Sequence, residues 1–188
     1  MRLSRQDFWQ LGALCLISAG LFFSSFRVNE WLLETLEYSQ YINWIFLPGG
    51  IRVVIVMVMG LPGALGLVLG SWAVTYFGEQ EWGLLQIGNG LISGLTPWMV
   101  MRLMFKEDVF NHPRIRLTPD RLLAFVVSYA LVNALLHHGF WWTMHATDHD
   151  AWKGFVPMMV GDLLGALVLL YLLKWSLDKL TLPAPPEH

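Results

Sequence analysis

Six stretches of the chain stay apolar over membrane-crossing distances: residues near 8–25, 43–60, 62–77, 83–104, 121–143 and 154–174. A transmembrane helix needs about 20 mostly apolar residues. The third run is short, and Pro62-Gly63 marks a tight turn between it and the second. The first run follows Arg2 and Arg5, as the core of a signal peptide would. No small-x-small cleavage site comes after it, so it reads as a retained helix. The pattern predicts an all-α polytopic membrane protein: one six-helix domain over residues 1–180, both termini cytoplasmic, then a disordered cytoplasmic tail over 181–188. The second helix is expected to be broken at Leu47-Pro48-Gly49-Gly50. Residues 30–41 set Trp31, Leu32 and Leu36 against Glu30, Glu34 and Glu37, which suits a short helix lying on the outer surface.

Composition narrows the class. Apolar residues make up 55% of the 188, and Asp, Glu, Lys and Arg only 14%, where soluble domains average about 25% charged. A soluble fold of this size is excluded, and the length leaves no room for a further soluble domain beside six spans. The lone Cys15 rules out an intramolecular disulfide and reads as a small apolar residue within a span.

Net charge is −2, but the placement of charge says more. With the N-terminus inside, cytoplasmic segments hold Arg2, Arg5, Arg102, Lys106, Arg114, Arg116, Arg121, Lys174 and Lys179, and outer segments only Arg27 and Lys153. That bias sets the orientation of a bacterial inner-membrane protein. Trp31, Trp44, Trp82, Trp141, Trp142, Trp152 and Trp175 fall near span ends, as an aromatic belt requires.

Polar groups inside the spans are the candidate chemistry. A charge at the bilayer centre costs at least about 2.5–3.5 kcal/mol, so Arg52 in the second span and Asp162 in the sixth each need a partner. At about 1.5 Å per helical residue both lie roughly 12–14 Å below the outer surface, which predicts an ion pair between them. Asn133, His137 and His138 sit in the outer half of the fifth span, and Gln86 and Asn89 in that of the fourth. The inner halves are almost purely apolar. Lipid cannot hydrogen-bond these groups, so they should face the bundle interior and line an outward-facing polar cavity. Each of them taken alone reads rather as a hydrogen bond between helices, and only the collection points to a cavity. Gly66 and Gly70, Gly90 and Gly94, and Gly161 and Gly165 are spaced for close helix approach, within one bundle or across a homodimer.

Catalytic arrangements are missing from the sequence. There is no Ser-His-Asp set, Gly-rich phosphate loop or CxxC, and Ser93 reads as a packing serine rather than a nucleophile beside His137 or His138. The chain is not expected to be an enzyme or to bind nucleic acid. No cofactor is expected beyond a divalent metal between His145 and His149, which are four apart and would chelate if their loop were helical. The plainer reading of that loop is a solvated polar segment.

The order of motifs resembles a known family. WIFLPGGIRVVIVMVMGLPGALGLVLGS (44–71), QIGNGLISGLTPWMVMRLM (86–104) and VGDLLGALVL (160–169) are similar to the membrane-associated sensor domain of the first MASE type, over residues 40 to 175. The resemblance implies an integral-membrane sensory module, of a kind that usually precedes a cytoplasmic diguanylate cyclase, phosphodiesterase or histidine kinase region. It points to Asp162 and the Leu47–Gly50 segment as positions of interest. Only a short tail follows Lys179, so signalling is expected to run through a partner in trans, such as a histidine kinase or a diguanylate cyclase. Three functions follow: a sensor-like module with a small ligand, an accessory or assembly subunit of a membrane complex, and a solute-binding component of a transporter.

Overall fold

A computed structural model describes residues 5–39, 42–78, 83–105, 118–145 and 152–180. Within them the chain is all-helical apart from one small hairpin. The helices are α1 (Arg5–Leu33), α2 (Leu47–Phe77), α3 (Leu84–Phe105), α4 (Pro119–Thr143) and α5 (Phe155–Leu180). Between α1 and α2 lie a 3-10 turn (Glu34–Leu36) and two short antiparallel strands, β1 (Glu37–Ser39) and β2 (Ile42–Asn43), with Glu37 opposite Asn43. The described part of the expected surface helix over 30–41, residues 30–39, therefore does not form a separate helix. α1 continues through Arg27 and Glu30, whose side chains pair at 2.8 Å, and ends only at Leu33.

α2 is two helical arms. Gly60 adopts φ 58° and ψ −137°, a left-handed conformation that a side chain would strain. The chain folds back there. A Cβ on Gly63 would stand 2.8 Å from Ile55 Cγ2, although eight helical residues span about 12 Å. Phe22 of α1 likewise meets Gly70 in the second arm and the Arg52 guanidinium in the first. The reversal falls two residues before the expected Pro62-Gly63 turn.

The predicted break at Leu47–Gly50 needs correcting. These residues open a helix rather than interrupt one, with Pro48 in the first turn, where its missing N–H costs nothing. Phe46 offers no side-chain cap, and the Leu47 amide instead donates to Asn29 Oδ1 of α1 at 2.9 Å. The non-helical stretch precedes the motif. Its backbone is satisfied from α5, the Phe46 amide donating to the Gly161 carbonyl at 3.0 Å. Irregular backbone survives in a bundle of this kind only where protein supplies such partners.

Glycine spacing explains that close approach. A Cβ on Gly161 would collide with the Asn43 carbonyl, and one on Gly165 with the Phe46 carbonyl. Gly49 and Gly50 face back onto Asp162 and Ala166. The other two glycine pairs are also spent inside the bundle, Gly66 and Gly70 on α1, and Gly90 and Gly94 on Trp72 and Val68.

Polarity is distributed inside out. Leu123, Val127, Leu131 and Leu135 form an exposed stripe on α4, and Leu61, Leu65 and Leu69 one on the second arm of α2. Arg52, Ser93, Asn133 and Asp162 are buried. Four helices (α1, α2, α4 and α5) are long and apolar enough to cross a membrane. α3 runs among them, its apolar run interrupted by Gln86, Asn89, Ser93, Thr96 and Pro97.

Candidate functional site: a polar cavity floored by an ion pair

Arg52 lies one and a half turns into α2, and Asp162 two turns into α5. Because Gly49 and Gly50 bring these helix starts into backbone contact, the side chains meet: Arg52 Nη1 stands 3.5 Å from Asp162 Oδ1, with 6% and 1% of each residue exposed. The expected pair is therefore present.

The pair anchors a wider network. Arg52 Nη1 also donates to Tyr129 Oη at 3.1 Å, and Nη2 donates to Ser93 Oγ. The guanidinium carbon lies 5.0 Å from the centre of the Phe22 ring and 5.2 Å from that of Phe46, within range for cation–π attraction. Asp162 Oδ2 accepts from Asn133 Nδ2 at 2.6 Å. Arg52 thus joins residues from every other helix: Phe22 of α1, Ser93 of α3, Tyr129 of α4 and Asp162 of α5. Two polar atoms of the network have no hydrogen-bond partner, Arg52 Nε and Asn133 Oδ1.

Above this floor lies a cavity of about 100 Å³. Phe125, Tyr129, Asn133, His137 and Trp141 recur every four residues and so share one face of α4, which passes from apolar to polar towards the hairpin end of the bundle. On α3, Gln86, Asn89 and Ser93 make a similar line. The cavity wall includes Arg52, Gln86, Asn89, Asn133, His137 and Asp162, six of the expected residues. Trp141 Nε1 donates to Asn89 Oδ1 at 2.7 Å, bridging α4 and α3 beside the cavity. His137 Nδ1 lies 3.0 Å from the Asn133 carbonyl oxygen.

His138 does not join the wall. Successive helical residues are about 100° apart, so it turns away and packs among Trp141, Trp152 and Phe155, ring centres 4.9, 5.9 and 5.9 Å away. The expected histidine metal site lies partly outside the described residues. His145 is exposed just beyond α4 with φ 50°, His149 lies outside the described residues, and the described residues hold no cluster of three or more His, Cys, Asp or Glu side chains fit for a metal.

Sequence reading missed Tyr129 and passed over Ser93. Both carried a usable signal, since Tyr129 lies four residues before Asn133 and Ser93 four after Asn89.

Beneath the pair the interior is mainly apolar, with Ser18 and Thr96 as buried polar exceptions. Val53, Val56, Ala64, Leu67, Val100, Met101, Phe125 and Val126 are all buried there and belong to one core. The cavity ends at its ionic floor.

No protein-family model matches the chain, and neither curated proteins nor solved structures contain a match to it.

Proposed function

We propose that this protein is a membrane-embedded receptor module that holds a small solute in its hairpin-side cavity and signals occupancy to a partner protein. In this reading the chain crosses a bacterial inner membrane six times, each arm of α2 making one crossing. Both termini are cytoplasmic and the hairpin faces outward. The bias of Lys and Arg towards segments at the opposite end from the hairpin supports that orientation. The arms of α2 are only about 20 and 25 Å long, and the extended residues before Leu47 add depth to the first. The resemblance to membrane-associated sensor domains of the first MASE type agrees with a sensory role.

One observation carries the reading: a polar cavity that stops at a buried ion pair with a packed apolar core beneath. A transport component would have to open a route through that core. A receptor needs only a site and a structural element that feels its occupancy. Arg52, bonded or stacked to residues from four other helices, is such an element.

A second reading has an observation of its own. The same reach of Arg52 suits a polar staple in a scaffold or assembly subunit, where the hydrogen bonds only hold helices together. Native mass spectrometry of protein released from mild detergent separates the two. A receptor carries a bound small molecule that Thr75→Trp, which fills the cavity wall, expels. Wild type and variant equally empty contradict the receptor reading.

A further inference from the structure

Resting on the cavity's being a binding site, we propose that its ligand is an uncharged, planar molecule with an amide-type edge, a hydrogen-bond donor beside an acceptor. Charge is the first argument. Among the described residues, Arg52 and Asp162 are the only Arg, Lys, Asp or Glu on the wall, and they neutralise one another. Both are also engaged within the protein, Asp162 Oδ2 by Asn133 and the two Arg52 Nη atoms by Tyr129, Ser93 and Asp162 itself, while Arg52 Nε remains a donor without a partner. A charged ligand would lose its hydration and, among the described residues, find no counter-charge that is not already paired.

The second argument is the kind of polar group left over. Four carboxamides reach the wall, Asn43 of β2, Gln86 and Asn89 of α3, and Asn133 of α4. A carboxamide is uncharged and both donates and accepts, so it pairs best with a group of the same kind. Asn133 is committed in a useful way. Asp162 takes its Nδ2, which fixes the orientation of the amide and leaves the buried Oδ1 as an acceptor awaiting a donor.

Shape supplies the third argument. Phe22, Phe46 and Trp141 give the wall flat apolar faces, and aromatic faces favour stacked or edge-on rings. At about 100 Å³ the cavity is smaller than the roughly 150 Å³ that encloses a benzene in an engineered protein cavity, so it admits no more than a single ring. One ring, its edge among the amides, is the scale that fits.

Three probes of one shape test the proposal: benzamide, benzoate and benzylammonium, titrated at neutral pH against the full chain in mild detergent, with thermal melting as the readout. Benzamide is expected to stabilise at concentrations at least tenfold below either charged analogue. Asn133→Leu, which keeps the volume and removes the acceptor, is expected to weaken benzamide at least tenfold. Because Asn133 is buried and that variant risks misfolding, Gln86→Leu, at a half-buried position, is the companion and should weaken benzamide several-fold. Benzoate or benzylammonium binding more tightly than benzamide would overturn the uncharged ligand and leave a binding cavity standing. Silence from all three would overturn both.

Discussion

The two ends of this bundle are built from the same helices and differ in what the helices turn inward. Towards the hairpin, α3 and α4 present Gln86, Asn89, Asn133 and His137 around open space. Towards the other end, the same faces carry Val100, Met101, Phe125 and Val126 in a closed core. Arg52 and Asp162 mark the boundary. Removing water from a charge is costly, and the cost is met here where polar partners run out and apolar packing begins. The contrast teaches that the ion pair has two neighbours of opposite character: it stabilises the fold from below and closes a site from above.

The largest expected effect comes from unbalancing that boundary. Arg52→Leu or Asp162→Leu leaves the opposite charge buried without its partner, and each should destabilise the protein by about 3–5 kcal/mol. Replacing an ion pair by apolar side chains of similar volume is often neutral, so Arg52→Leu with Asp162→Leu should melt above either single variant. That double variant extends the apolar end upward and should bind no ligand. Thermal melting of the four proteins in detergent checks this, and a double variant less stable than both singles would contradict it.

Next in size is the contact that brings the two charges together. Gly161→Val forces β2 and the residues after it away from α5, since any Cβ there meets the Asn43 carbonyl. Overpacking of this kind costs about 1–3 kcal/mol. The damage should fall mainly on the hairpin end, so hydrogen exchange should quicken around Phe46 and Asp162 and stay unchanged around Phe125. Equal acceleration at both ends would erase the distinction between them.

The smallest effect belongs to the reversal of α2. Gly60→Ala places a side chain at φ 58°, at a cost of about 1–2 kcal/mol. A Cβ there would meet nothing within 4 Å, so backbone strain alone should set the loss, and Gly60→Asn should recover little of it, because ψ −137° lies outside the left-handed helical region that asparagine favours. An Asn variant that melts like the wild type would mean the strain has another source.

Much of this architecture was legible in the sequence because lipid imposes a simple demand, long apolar runs with polar groups turned inward. The Arg52–Asp162 pair followed from two charges at matching depth. What escaped depends on contacts remote in sequence. Ile42 and Phe46 look like part of a span, yet their segment is not helical, because Gly161 of α5 supplies the hydrogen bond that a helix would have supplied. Arg27 and Glu30 look like residues of an outer segment beyond the first span, yet they pair along the side of α1, which runs on to Leu33. Tyr129 was hidden because a phenol does not interrupt an apolar run, and only the partners its hydroxyl finds reveal it. His138 was placed in the cavity by adjacency to His137, although helical geometry sends neighbouring residues to different faces.

The central claim is that the cavity opens at the hairpin end and stops at the ion pair. Cysteine labelling in intact membranes tests it most directly, with a membrane-impermeant maleimide, in a Cys15→Ala background. Thr75→Cys and Gln86→Cys should react from the outer face, while Val56→Cys and Leu67→Cys should stay unlabelled from either face. Labelling at Val56 or Leu67 as fast as at Thr75 would mean a through path, and protection of all four would mean no open cavity.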